Sequence, residues 1–291
     1  MAHRACVGSG HHNPGMPDLL SQLPDLLRSG PAVLVSVVRA EGSVPRDAGT
    51  WMAVSGDRVL GTIGGGRLEF DAIAQARALL AQSASGGQPA APLVQRFALG
   101  PSLGQCCGGV VHLRFEIVDA GSVDTLTQHL RGRLRPLALF GGGHVGQALV
   151  RVLATLPYEV SWIDSRDGVF PEDVPASVHC EHSDPVQGAV ATLAPGSAVL
   201  VMSFSHAEDL DIVAACLRRL RAQDDLPWIG LIGSRTKWAT FRHRLEERGF
   251  SAAELDRVTC PIGIAGIQGK EPEVIAVAVA AQLLQQRALP S

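Results

Sequence analysis

An apolar run that empties directly into a glycine turn constrains this chain more than any other feature. Residues 136–146 read Pro-Leu-Ala-Leu-Phe-Gly-Gly-Gly-His-Val-Gly. Leu137, Leu139 and Phe140 have the character of a buried strand, and Gly141, Gly143 and Gly146 fall at G-x-G-x-x-G spacing with His144 inside the turn. Ala148, Leu149, Val150 and Leu153 then open a helical pattern. In such a unit the first glycine makes the tight turn, the second lets backbone approach a phosphate, and the third lets helix pack on strand. The positive end of the helix faces the anion. A second strand, Tyr158 to Ile163, ends in Asp164, 18 residues after Gly146, where a ribose-binding acid is expected. Strand, turn, helix, strand and acid in this order predict a Rossmann-like, doubly wound parallel-sheet domain. They do not name the ligand, because fold and function separate.

This unit begins near the middle of a 291-residue chain, so the length argues for two domains. The expected division is an extension over residues 1–16, a smaller N-terminal α/β domain over 17–133, and the Rossmann-like domain over 134–291. A net charge of −3 without a clustered Lys/Arg run argues against nucleic acid as a partner. No apolar stretch reaches the roughly 20 residues that span a bilayer, and Val274 to Leu284 is interrupted by Gln282. No membrane association is expected. The N-terminus lacks an apolar signal core, so the chain is read as cytoplasmic. Residues 1–15, which include His11 and His12, read as a disordered tail.

Cysteines stand at 6, 106, 107, 180, 216 and 260, and no two form C-x-x-C, which argues against a structural zinc or a thioredoxin-like pair. Cys216 lies on an amphipathic helical pattern and reads as core; Cys180 and Cys260 fall at strand ends. Cys106 and Cys107 differ. They sit in Gly104-Gln105-Cys106-Cys107-Gly108-Gly109, where glycines leave the thiols accessible and the backbone free to wrap a ligand. Thiolates are soft ligands that suit molybdenum, copper or persulfide chemistry.

Three further loops carry polar groups to predicted helix starts. The loop Ser43-Val44-Pro45-Arg46 precedes a hairpin that delivers Thr62-Ile63-Gly64-Gly65-Gly66 onto a helix beginning near Arg67, with Glu69 in its first turn. That glycine loop can bind an anion, or Glu69 can simply complement the helix dipole. In the second half, the strand Ala198 to Met202 ends in Ser203-Phe204-Ser205-His206, with His206 placed as an acid/base or ligand contact. The strand Trp228 to Ile232 runs into Gly233-Ser234-Arg235-Thr236-Lys237, where Arg235 and Lys237 add charge. Several such loops on one sheet edge suggest a large polyanionic ligand.

On these residues the chain resembles the XdhC/CoxI family of xanthine dehydrogenase accessory proteins, from about residue 17 to 286. The resemblance rests on residues 43–46, 61–66 with Leu68-Glu69, Cys107-Gly108-Gly109, Gly141 to Gly146, Ile232 to Arg235, and Pro261-Ile262-Gly263 with Pro272-Glu273. It implies a carrier rather than a turnover enzyme, one that binds molybdenum cofactor while a cysteine desulfurase installs the terminal sulfido ligand. The carrier then delivers the cofactor to apo xanthine dehydrogenase. By the same resemblance Cys106 or Cys107 is the thiol near molybdenum or persulfide. Arg46, Gly64 to Gly66 and Glu69, and Gly141, Gly143, His144, Gly146, Asp164, His206 and Arg235 become candidate cofactor contacts. The Rossmann crevice can alternatively hold a nucleotide, as in an NAD(P)-dependent oxidoreductase. A third reading is a scaffold that bridges desulfurase and target enzyme without needing either cysteine. The apolar helix 272–286 offers a surface for a homodimer.

Overall fold

The computed structural model describes residues 15–85, 91–99, 108–175 and 177–286. It divides into two compact units, one ending at Thr127 and the other starting at Gln128. Residues 1–14 of the expected extension, residues 86–90, and Cys6, Cys106 and Cys107 lie outside the described residues, while Met16 already belongs to the first helix.

The first unit begins with α1 (Met16–Ser29), whose Leu20, Leu23, Leu26 and Leu27 form a buried stripe. The strands are β1 (Ala32–Glu41), β2 (Trp51–Val54), β3 (Val59–Gly61), β4 (Leu93–Ala98) and β5 (Val110–Val118), with α2 (Gly66–Ala84) between β3 and β4. They form one antiparallel sheet in the order β3-β2-β1-β5-β4. Alternate residues of the long strands, Val33, Val35 and Val37 with Val111, Leu113 and Phe115, enter one core beneath α2 and meet its Leu68, Ala72 and Ala76. That period of two is what a half-buried strand requires. A short helix, α3 (Val123–Arg131), leads out of this unit.

The second unit holds β6 (Arg135–Phe140), α4 (His144–Leu153), β7 (Tyr158–Asp164), β8 (Val178–His182), β9 (Ala198–Val201), α5 (His206–Gln223), β10 (Trp228–Leu231), α6 (Arg235–Glu247), α7 (Ala252–Leu255), β11 (Val258–Thr259) and α8 (Pro272–Gln285). Its sheet is parallel throughout, in the order β8-β7-β6-β9-β10-β11. Counted from β6 this is 3-2-1-4-5-6, the dinucleotide-fold order, with its reversal between β6 and β9. The expected doubly wound architecture is therefore present. Ala138 and Phe140 enter a core with α5 and α6, while Leu137 and Leu139 enter a second core with α4 and α8. Helices on both faces explain why β6 reads as an unbroken apolar run rather than an alternating one. Pro272 opens α8, where its missing N–H costs nothing. Cys180, expected at a strand end, is instead the central residue of β8, a short strand at the sheet edge whose His179 and His182 are exposed and whose other residues are half-buried. Among the described residues, no helix is long and apolar enough to cross a membrane.

Candidate functional site

In the first unit the structure brings together three motifs that are far apart in sequence. The loop after β1 lies between two glycines. A Cβ on Gly109 would stand 2.5 Å from the carbonyl oxygens of Glu41 and Ser43, and one on Gly64 would stand 2.7 Å from Pro45 Cβ. Only glycine permits either approach. The Ser43–Arg46 loop, the Gly64 loop and the Gly108-Gly109 end of the cysteine loop thus meet at one corner of the sheet. Arg46 is exposed there, with no ion pair among the described residues. The amides of the glycine loop turn inward. Glu69 Oε2 accepts from Ile63 N–H at 3.0 Å, Gly65 N–H at 3.1 Å and the Thr62 hydroxyl at 2.5 Å, while Gly64 N–H donates to Thr62 Oγ1 at 3.1 Å. A carboxylate from the chain itself occupies the place an external anion would take in this loop. Gly66 is the exposed first residue of α2.

The second unit carries its own polar edge where the strand order reverses. Gly141 leaves β6 with φ of +125°, and a Cβ there would collide with the Met202 carbonyl oxygen at the end of β9. Gly146 packs on the Gly141 carbonyl, which also accepts from Trp162 Nε1 at 2.9 Å. Gly143 differs: it is exposed, and a Cβ on it would meet nothing within 4 Å. It also begins α4 without a side-chain cap, and His144 beside it is exposed. The turn glycines therefore divide into two that close the fold and one that keeps the helix start open.

Asp164 is only 2% exposed at the end of β7. Its Oδ2 accepts from Gly142 N–H at 2.6 Å and Arg166 Nη2 at 2.8 Å; its Oδ1 accepts from Arg166 N–H and Nε, each at 2.9 Å. Four donors fill the four acceptor positions of a carboxylate. Burial alone would raise the Asp164 pKa, but the bonds from Arg166 and Gly142 outweigh it and hold the group below its ordinary value. In this chain Asp164 clasps the glycine turn and orients Arg166. The Arg166 guanidinium lies 4.8 Å from the ring centroid of Phe204, a side chain 68% exposed on the loop after β9. Ser165 Oγ donates to Glu208 Oε1 at 2.7 Å, tying the β7 loop to the start of α5.

Next along the edge, Asp209 and Lys237 form a buried pair at 2.6 Å. Asp209 Oδ1 also accepts from the Ser203 N–H and hydroxyl, each at 2.8 Å, and Lys237 Nζ donates to the Ile232 carbonyl at 2.8 Å. The pair links the loops after β9 and β10. Lys237, expected to supply free charge to a helix start, is instead neutralised here. His206 and Arg235 are the exposed first residues of α5 and α6, with Ser205 and Ser234 capping those helices. The His206 ring meets Phe241 edge-on at 6.2 Å.

Sequence reasoning missed Arg166, Phe204 and the Asp209–Lys237 pairing. The usable signal was position, since all follow the carboxyl ends of strands. The three described cysteines are poor nucleophiles. Burial pushes Cys216 up to about 12 and Cys260 up to about 11, and it also raises Cys180. Cys216 is core, as its helical pattern suggests. Among the described residues no cluster of three His, Cys, Asp or Glu side chains is placed to hold a metal ion.

Residues 137–283 match the family model described as the XdhC Rossmann domain, about half of the chain. The chain belongs to the XdhC family. Residues 26–94 match a second model, described as the XdhC and CoxI family. The uncharacterized Escherichia coli K12 protein YqeB is 26% identical over 260 residues, covering 88% of this chain and 43% of YqeB. The chain thus spans less than half the length of that relative. A solved Bacillus halodurans structure, described as a xanthine dehydrogenase, shares the fold with a TM-score of 0.72. It is 19% identical, over 94% of this chain and 95% of its own.

Proposed function

We propose that this XdhC-family chain is a maturation factor for xanthine dehydrogenase that carries molybdenum cofactor as cargo. On this reading it keeps the cofactor while a cysteine desulfurase supplies the sulfido ligand, and then passes it to the apo-enzyme. Family membership supports the role. The observation that carries it is the open helix start at Gly143, flanked by an exposed Phe204 held against Arg166. Molybdopterin brings a phosphate, a flat pterin and a soft metal centre. The amides at the start of α4 suit the phosphate, and the Phe204 ring suits stacking on a flat heterocycle. The Gly64 loop, filled by Glu69, suits a positioning role for its corner of the sheet. Cys106 or Cys107 is the candidate thiol for molybdenum or persulfide. The test is to mix purified protein with molybdenum cofactor, remove free ligand, and count molybdenum and pterin per chain. Near-stoichiometric binding is expected, lost in Cys106→Ala or Cys107→Ala. No binding by the wild type sinks the carrier reading.

A second reading, an NAD(P)-dependent oxidoreductase, is favoured by the 3-2-1-4-5-6 strand order and by Arg166 at the end of β7, where a 2′-phosphate would sit. It requires a ribose hydroxyl to displace a donor from Asp164, whose four acceptor positions are filled. Dinucleotide titration separates the two readings: saturable binding of NADP(H) without cofactor binding would select the second.

A further inference from the structure

Two contacts from consecutive residues of the β7 loop bring Phe204 and Glu208 to one place at the carboxyl edge. Ser165 Oγ donates to Glu208 Oε1 at 2.7 Å, and the next residue, Arg166, lays its guanidinium 4.8 Å from the Phe204 ring centroid. The two targets flank the Ser205 cap, with Phe204 just before it and Glu208 in the first turn of α5. Glu208 is also close enough for its charge to act on Arg166. Asp164 fixes Arg166 through bonds from its backbone and its guanidinium. Since β7 and β9 flank β6, the group is held from both sides of the strand that carries the glycine turn.

Both Phe204 and Glu208 keep an unused surface. Phe204 is 68% exposed with Arg166 over one face, so its other face is open. Glu208 is half-buried, and its Oε2 takes no hydrogen bond among the described residues and is not sealed from solvent. An ionised carboxylate only accepts, and Oε1 retains a lone pair after the Ser165 bond. Beside a flat apolar face, such a group pairs best with a ring edge bearing two adjacent N–H donors, one for each oxygen. The 2-amino-4-oxopyrimidine ring, which pterin and guanine share, has that edge. Adenine instead sets an amino donor beside a ring-nitrogen acceptor, whose lone pair would repel the carboxylate.

We propose that Phe204 and Glu208 form a recognition site for the 2-amino-4-oxopyrimidine ring. The ring stacks on the open face of Phe204, and Glu208 accepts from its N–H edge. Glu208 is then the residue that sets which heterocycle is accepted. The proposal rests on the carrier reading for its choice of pterin as the ring to be held.

The probe is neopterin, titrated calorimetrically into the full chain. Its comparison is the lumazine with the same side chain, in which a carbonyl replaces the 2-amino group. Saturable neopterin binding is expected, with the lumazine at least about tenfold weaker, as befits loss of a charge-assisted bond. Glu208→Gln keeps an acceptor for Ser165 but has one neutral oxygen, so it should weaken neopterin about tenfold and leave the lumazine unchanged. Phe204→Ala should weaken both about tenfold and preserve their ratio, because stacking does not read the edge. Guanosine and inosine, which differ only in the 2-amino group, form the second arm. Guanosine tighter than neopterin makes the occupant a guanine nucleotide, and the reverse order makes it a pterin; the edge assignment stands in both. No saturable binding of either ring, equal binding of neopterin and the lumazine, or an unaltered ratio in Glu208→Gln each overturns it. Stoichiometric cofactor binding that Glu208→Gln leaves unchanged overturns this site and spares the carrier reading. Discrimination among the free rings without cofactor binding does the opposite.

Discussion

Two glycine-rich loops at helix starts read alike in this chain, and the fold uses them differently. In the first unit Glu69, from the first turn of α2, takes the amides of Ile63 and Gly65 and the Thr62 hydroxyl. In the second, Asp164 takes only the amide of Gly142, reaching across from the neighbouring strand and spending its remaining acceptor positions on Arg166. The start of α4 is left without a side-chain cap. A glycine loop before a helix is thus a geometry. Whether it is a site depends on which carboxylate reaches the amides and how many of them it takes.

The comparison can be broken most sharply at Gly141. Gly141→Ala would drive a methyl group into the Met202 carbonyl at a positive φ, so unit 2 should lose about 4 kcal/mol or more in denaturant unfolding. A variant that unfolds like wild type would mean the β6–β9 contact is not tight. Next comes Asp164→Asn, which leaves Arg166 without its anionic partner and should cost about 2–4 kcal/mol. Its pH signature has a definite sign. The folded pKa of Asp164 is depressed, so the unfolded chain binds the proton first on acidification. The stabilisation is complete above the ordinary carboxylate range and is lost as pH falls through the folded pKa. Unfolding midpoints should therefore drop more steeply with acid in wild type than in Asp164→Asn.

Smaller effects sharpen the contrast between the loops. Glu69→Ala should cost about 1–3 kcal/mol, since it strips the acceptor from two amides and a hydroxyl. It should also create phosphate-dependent thermal stabilisation that the wild-type loop lacks. If phosphate protects wild type and variant equally, the first loop is not filled in the way described. Gly143→Ala should change stability by no more than about 0.5 kcal/mol, because its backbone is extended and its Cβ position open. It should nonetheless weaken cofactor binding if the amides at the start of α4 hold the phosphate. Unchanged binding would move the phosphate elsewhere.

Local pattern was enough for most of the architecture. The apolar run of β6, the alternation of β1 and β5, the stripe of α1 and the 141–146 turn all announce themselves. Each is set by backbone geometry over a few residues, with periods of two or 3.6 and glycine where chains approach closely. The sequence by itself therefore determined a Rossmann-like second half behind a distinct first domain, and it marked the corner loops as special. Only the tertiary structure decided which polar groups meet. The register of β6 on β7 carries Asp164 under Gly142 and fills its acceptor positions. The neighbouring order of β9 and β10 pairs Asp209 with Lys237, residues that in sequence read as two independent helix starts. Partner choice depends on distances set by sheet register and strand order, and no local pattern contains those distances.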